Sequence, residues 1–147
     1  MKISRKEFIK KAGIYCGGIY SISLVAGCSS SSIQKSEVMG QHGGEIIIDC
    51  NKLKNIGDRI ILEIKNLNTK IILIKTGINE YSALSLMCSH KGCELVVYNN
   101  FFECPCHGSE FDIQGNALKW PATEPLVKYK TVINNDNTIT ISINVNE

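Results

Sequence analysis

The sequence between residues 88 and 109 reads CSHKGCELVVYNNFFECPCHGS. These 22 residues contain four of the chain's seven cysteines and two of its three histidines. The cysteines and histidines fall into two similar groups, residues 88–93, here called the first loop, and residues 104–109, the second loop. Thiolates and imidazoles are ligands of soft and borderline transition metals. The stretch therefore predicts a metal site that is bound between two loops, which the rest of the chain holds in position.

The segment between the loops has the pattern of a β-hairpin. Residues 94–98 and 101–103 are apolar or alternating runs, and they flank Asn99-Asn100. Asparagine tolerates positive φ and suits a tight turn. Because a hairpin brings its two ends side by side, the two loops are expected to meet at one end of the structure.

The remainder of residues 45–147 also has a β pattern. Short runs rich in β-branched residues alternate with turn signals, at the spacing of an antiparallel sandwich or barrel, and no long helical periodicity follows residue 45. The predicted strands lie at residues 46–48, 60–64, 70–75, 81–86, 126–133 and 138–145. Residues 120–125 contain two prolines and predict a stiff loop. The fold class is therefore all-β, in one domain.

The first 27 residues predict an export signal. Five Lys or Arg residues in positions 1–11 precede an uncharged, weakly apolar run, Ala12–Gly27. Sixteen residues are fewer than the roughly 20 that span a bilayer, which favours a cleaved signal over a permanent anchor. Residues 4–10, SRKEFIK, resemble a twin-arginine signal in which Lys6 replaces the second arginine.

The end of this signal resembles a bacterial lipobox, Val25-Ala26-Gly27-Cys28. Cleavage before Cys28 and lipidation of its thiol would tether the protein to a membrane. Residues 28–44, polar and rich in serine and glycine, predict a flexible linker. The expected location is outside the cytoplasmic membrane, tethered to its outer side.

The charge of the mature chain excludes one class of partner. From Cys28 onward there are 11 Lys and Arg against 13 Asp and Glu, a net charge of −2. Lys and Arg do not cluster in this part of the sequence, so nucleic acid is not an expected partner.

The spacing C-x-H-x-G-C, ten residues, then C-P-C-H-G-S resembles the signature of Rieske iron–sulfur proteins. The resemblance implies a small antiparallel β sandwich whose two loops, joined by a hairpin, form a cluster-binding subdomain. It implies a [2Fe–2S] cluster with one iron bound by Cys88 and Cys104 and the other by His90 and His107. The remaining pair, Cys93 and Cys106, is expected to form a disulfide, since an exported domain is in an oxidising compartment where thiols form disulfides.

Three neighbouring residues are expected to tune the cluster. Ser109 matches the family serine whose hydroxyl bonds to a cluster sulfur, whereas Phe111 stands where quinol-oxidising members carry tyrosine. Lys91, beside His90, suits a polar or acidic partner better than an apolar one. Neutral imidazole ligands raise the reduction potential of such clusters to about −150 to +300 mV. Because the tyrosine hydroxyl is absent here, we expect a reduction potential in the middle of this range.

These features lead to one main functional hypothesis and two alternatives. The first is one-electron transfer, by an exported subunit or carrier that serves a respiratory oxidoreductase and catalyses no bond chemistry itself. Its partners would be redox proteins, such as a cytochrome or an oxidoreductase subunit. The second is the Rieske ferredoxin component of an oxygenase system, which the export signal and the cysteine pair disfavour. The third is a zinc-stabilised binding module, although six candidate ligands exceed the four sites of tetrahedral zinc.

Overall fold

A computed structural model describes residues 33–38, 44–64 and 67–143. The predicted signal, Cys28 and most of the predicted linker lie outside these residues. Within them the strands are β1 Ile33–Val38, β2 Glu45–Asp49, β3 Arg59–Ile64, β4 Lys70–Gly77, β5 Glu80–Ser85, β6 Val96–Val97, β7 Phe101–Glu103, β8 Glu110–Asp112, β9 Ala117–Lys119, β10 Lys128–Ile133 and β11 Thr138–Ser142. The single helical element of the described chain is a short 3-10 turn, Cys50–Lys52. The prediction of an all-β fold is confirmed.

The strands form two sheets. One has seven strands in the order β1-β3-β4-β5-β10-β11-β2, and the other has four in the order β6-β7-β8-β9. All strand pairs are antiparallel except β1 with β3, which is parallel. Among the residues that the structure describes, no helix is both long and apolar enough to cross a membrane.

The linker region differs from the expectation. Residues 33–38, expected to be part of a flexible segment, form β1 alongside β3. The turn-like composition of residues 29–44 does not predict this strand, which pairs with β3 and is itself an edge strand of the seven-stranded sheet. An unpaired sheet edge presents free N–H and C=O groups, which such a pairing satisfies.

Strand β4 lies between two apolar cores. Its side chains alternate: Ile71 and Leu73 point into one core, while Ile72 and Ile74 point into the other. This explains the unbroken apolar run Ile71-Ile72-Leu73-Ile74, because a strand covered on both faces has no polar side. The second core also contains Leu84, Leu86, Cys88, Leu95, Phe102, Cys104, Phe111, Ala122 and Leu126. The first cysteine of each loop is therefore part of a packed core.

The hairpin between the loops is present, with a shorter first strand than expected and a second strand at the predicted residues. Antiparallel β6 and β7 pair Val96 with Glu103, and the Tyr98 N–H donates to Phe101 O across the Asn99-Asn100 turn at 2.9 Å. Neither turn asparagine has a positive φ; among the described non-glycine residues only Asn137 does. The asparagine pair thus marks the position of the turn correctly, although the turn does not use the positive φ that the sequence led us to expect.

Candidate metal centre

The two loops have the same backbone hydrogen bonds. In the first, Cys88 N–H donates to Cys93 O and Gly92 N–H donates to Cys88 O, both at 2.8 Å. In the second, Cys104 N–H donates to Ser109 O at 2.8 Å and Gly108 N–H donates to Cys104 O at 2.9 Å. Each loop is thus a closed six-residue turn that starts at a cysteine.

A glycine at the fifth position allows each turn to close. Gly92 has φ +72° and Gly108 has φ +74°, values in the left-handed region that side chains disfavour. A Cβ at Gly108 would meet no atom within 4 Å, and one at Gly92 would meet only Met87 at ordinary contact distance. Backbone conformation, rather than space, therefore requires both glycines.

A disulfide joins the loops. Cys93 and Cys106 are bonded, with their Cα atoms 6.5 Å apart, which is the pairing that the sequence analysis expected. The Sγ atoms of Cys93, Cys104 and Cys106 lie within 4.8 Å of one another. Because two of these three sulfurs are in the disulfide, only Cys104 of this group offers a thiolate to a metal.

The free thiols of Cys88 and Cys104 lie together at the base of the loops. Both are buried, at 2% and 1% exposed, and the neighbouring Cys104 thiol contributes to raising the pKa of Cys88. Burial is the main cause that raises the pKa of the Cys88 thiol, and the backbone N–H groups of His90 and Lys91 oppose it. The same N–H groups would stabilise a Cys88 thiolate bound to a metal cation.

The two loop histidines form the other half of the arrangement. The His90 and His107 rings are edge to face, with centroids 5.0 Å apart. His107 is exposed and His90 is half-buried. The Nδ1 atom of His90 is buried and has no hydrogen-bond partner among the described residues. A buried polar nitrogen without a partner costs free energy, and coordination of a metal would remove that cost.

Residues 120–125, here called the proline segment, contact both loops. Ser109 is fully buried, and its Oγ accepts a hydrogen bond from Ala122 N–H at 3.0 Å. In the first loop, Ser89 Oγ donates to Glu124 O at 2.7 Å. A hydroxyl has one donor and two acceptor sites, so Ser109 keeps its O–H free to donate toward a cluster.

Arg59 connects the seven-stranded sheet to the hairpin that joins the loops. Its guanidinium donates to Gly57 O, to Tyr98 O at 2.6 Å and to Asn99 O. Arg59 is 4% exposed, and burial lowers its pKa. Sequence reasoning did not identify this contact, since a single arginine at the start of a strand carries no signal for a partner about 40 positions away.

Two residues that the sequence predicts to tune the cluster or its docking, Phe111 and Lys91, differ in burial, and the neighbouring Trp120 is exposed. Phe111 is completely buried in the second core, across from Phe102 in the β7–β8 pair. Lys91 is exposed in the first loop. Trp120, at the start of the proline segment, is 78% exposed, so it is not a packed residue.

The fold and the site define a class of protein: a small β domain in which paired loops gather two buried thiols and two imidazoles beside a disulfide. The profile of the Rieske [2Fe-2S] domain matches residues 47–130, more than half of the chain. The chain therefore belongs to the Rieske [2Fe–2S] domain family, and its cofactor is a [2Fe–2S] cluster. The two thiols, the two imidazoles and the orphaned His90 nitrogen fit such a cluster.

A curated relative agrees with this assignment, and two solved structures share the fold. Cytochrome b6-f complex iron-sulfur subunit 1 of Nostoc sp. is 34% identical over 93 residues, which cover 60% of this chain and 51% of that protein. This chain thus spans about half the length of the curated relatives it matches. The structure of a quaternary ammonium Rieske monooxygenase has a TM-score of 0.57 at 18% identity, and covers 71% of this chain and 34% of that one.

A hyperthermophilic respiratory Complex III chain has a TM-score of 0.50 at 21% identity, and covers 63% of this chain and 71% of that one. At these identities both structures establish a shared fold only.

Proposed function

We propose that this chain transfers single electrons through its [2Fe–2S] cluster, as an exported subunit or carrier of a respiratory oxidoreductase. The observation that carries the proposal is the pair of matching loops, which are joined by a disulfide and carry two buried thiols and two histidines whose ring centroids lie 5.0 Å apart. The relation to cytochrome b6-f iron–sulfur subunits supports an electron-transfer role. The disulfide supports this role over that of an oxygenase ferredoxin, in which the corresponding cysteines are generally lacking.

In the proposed arrangement Cys88 and Cys104 bind one iron, and His90 and His107 bind the other. The packed core fixes the positions of the two thiols. When bound, the cluster supplies one-electron redox chemistry at a potential that neutral imidazole ligands raise above that of all-cysteine clusters. The exposed imidazole of His107 would provide the path by which the electron reaches a partner.

Three residues are proposed to adjust the cluster and its docking. The Ser109 hydroxyl, oriented by its bond with Ala122 N–H, would donate to a cluster sulfur and stabilise the reduced form. Exposed Lys91 would favour a partner with a polar or acidic surface. Phe111 lacks a donor, and Phe111→Tyr is expected to raise the reduction potential, measured by redox titration. An unchanged or lower potential would refute this role for position 111.

Membrane attachment is proposed to occur through lipid on Cys28, after removal of residues 1–27. The support is the lipobox-like sequence alone, which lies outside the described residues. Cell fractionation of the wild type and Cys28→Ser tests the idea. The wild type should sediment with membranes and the variant should not; equal distribution of both would exclude lipid tethering at this residue.

Electron paramagnetic resonance of the reduced protein, combined with a redox titration, tests the main proposal. A Rieske-type signal at a positive but intermediate potential within the range of roughly −150 to +300 mV is the expected result. A Rieske-type signal at the lower end would favour the oxygenase ferredoxin. A protein that contains zinc and gives no signal would overturn the proposal in favour of a zinc-stabilised module.

A further inference from the structure

The guanidinium of Arg59, at the start of β3, binds the turn of the hairpin that joins the two loops. A hydrogen bond from Tyr98 N–H to Phe101 O closes this turn and leaves the carbonyls of Tyr98 and Asn99 for other donors. Arg59 Nη1 donates to Tyr98 O at 2.6 Å, and Nη2 donates to Asn99 O. Because a guanidinium is planar and its donors are fixed in a fork, these two bonds set the orientation of the turn as well as its distance from β3.

The burial of Arg59 makes these two bonds important. The residue is 4% exposed, and its third acceptor is Gly57 O, in its own part of the chain. A buried charged group costs free energy unless it is hydrogen-bonded. If the hairpin turn moved away, the guanidinium would lose two of the three acceptors that the structure gives it. The buried cation therefore favours the state in which the turn lies on the seven-stranded sheet.

The opposite end of the hairpin is attached near the loops. There, Leu95 N–H donates to Leu86 O at 2.9 Å, and Lys70 pairs with Glu94. If the turn left the sheet, the hairpin would pivot about this end. Cys104 follows directly after the last residue of β7, so its backbone would move with the hairpin.

We propose that Arg59 is a positioning residue for the metal centre, which holds the hairpin turn on the seven-stranded sheet and so limits the local opening through which bound metal is lost. The inference rests on the proposed function, in which Cys88 and Cys104 bind iron. Parts of a protein open locally at a lower free energy than global unfolding requires. Separation of the hairpin from the sheet would uncover the second core, in which both thiols are buried.

Lys75 provides a matched control for Arg59. Its Nζ also donates to two consecutive backbone carbonyls, Leu53 O and Lys54 O, each at 3.1 Å. These carbonyls belong to the segment between β2 and β3 and not to the hairpin. Arg59→Met and Lys75→Met therefore each remove a cation and a pair of carbonyl contacts, but only Arg59→Met releases the turn. Lys75 also shows that an ammonium group can bind two neighbouring carbonyls, so Arg59→Lys should restore part of the effect.

The test uses the full chain loaded with iron, as the wild type and as these three variants. The iron content and the paramagnetic signal are recorded first. Hydrogen–deuterium exchange, read by mass spectrometry, then compares the hairpin, residues 94–103, with residues 128–142 of the seven-stranded sheet. In parallel, a chelator in excess measures the rate at which bound metal is lost.

In Arg59→Met the hairpin amides should exchange about 10- to 100-fold faster than in the wild type, because hydrogen bonds to a charged group are lost. Exchange in residues 128–142 should change much less, and the loss of metal should accelerate together with the hairpin exchange. Arg59→Lys should give intermediate rates, and it carries the comparison if Arg59→Met does not fold. Lys75→Met should leave the exchange of the hairpin as it is in the wild type.

Three results would overturn the proposal. Equal acceleration of both segments in Arg59→Met would show that Arg59 contributes only to overall stability. Faster exchange of the hairpin without faster loss of metal would show that the turn does not act on the metal centre. Loss of metal from Lys75→Met as fast as from Arg59→Met would show that the contact with the hairpin is not the cause. Failure of the electron-transfer proposal would instead show in the paramagnetic signal of the wild type, and the comparison of exchange and metal loss would still test Arg59.

Discussion

The two loops follow the same backbone path but distribute their side chains differently. Counting from the first cysteine, the third position is His90 in the first loop and Cys106 in the second, and the fourth is Lys91 and His107. The shift leaves His107 exposed and His90 half-buried. A repeated backbone turn thus produces an asymmetric site, with one histidine exposed and the other half-buried.

The sixth position differs as well. It is Cys93, in the disulfide, in the first loop, and Ser109, bonded to Ala122 N–H, in the second. Each loop end is therefore secured, one covalently to the other loop and one by a hydrogen bond to the proline segment. Equivalent substitutions in the two loops can show which functions follow the shared backbone and which follow the differing side chains.

The largest effect is expected at the first cysteine of each loop. Cys88→Ser and Cys104→Ser should both abolish cluster binding, because each removes one of the two buried thiols that are proposed to bind iron. Iron content and visible absorption measure the outcome. Cys50→Ser, a half-buried free cysteine outside the loops, is the control and should retain the cluster. Retention of the cluster in either loop variant would show that the loops do not contribute equivalent ligands.

The disulfide is expected to have the next largest effect. The double variant Cys93→Ala/Cys106→Ala opens a closed segment with a sequence separation of 13, which corresponds to about 3 kcal/mol in the chain-entropy treatment. Urea unfolding with and without a reductant measures the loss. The wild type should shift on reduction and the double variant should not. Equal unfolding midpoints without reductant would contradict the prediction.

The two loop serines should differ from each other. Ser109→Ala leaves the buried Ala122 N–H without its acceptor and is expected to cost about 1–3 kcal/mol. Ser89→Ala removes a more exposed bond to Glu124 O and should cost less than about 1 kcal/mol. Only Ser109→Ala should also lower the reduction potential. A similar change of potential in both variants would show that the proline segment, rather than the Ser109 hydroxyl, controls it.

The smallest effects are expected at the loop glycines, and these effects should be similar in the two loops. Gly92→Ala and Gly108→Ala should each destabilise the protein by about 1–2 kcal/mol, because both positions have positive φ. Thermal unfolding compares them, with Gly108→Asn as a control that should lose less, since asparagine tolerates this region. If Gly108→Ala did not change the stability while Gly92→Ala lowered it, contact with Met87 rather than backbone conformation would explain why position 92 requires glycine.

Much of the site followed from local sequence. The cysteine and histidine spacing indicated the two loops, and the hairpin pattern placed them together, because a hairpin's ends must be neighbours. The matching turns could also have been recognised, since each first cysteine is followed four residues later by glycine, Gly92 and Gly108. The strand at residues 33–38 was missed because its polar sequence carries no alternation, and it is a strand only through its pairing with β3.

The sequence alone determined the all-β class, the two loops and the candidate ligands, because turn chemistry, strand periodicity and ligand spacing are local properties of the chain. Tertiary structure decided which other parts of the chain contact the two loops. Three features join residues that are distant in the sequence. They are the hydrogen bond of Ser109 with the proline segment, the hydrogen bonds of Arg59 with the hairpin turn, and the burial of the two thiols in the second core. Such contacts depend on how sheets pack, and one chain's sequence pattern does not encode them residue by residue.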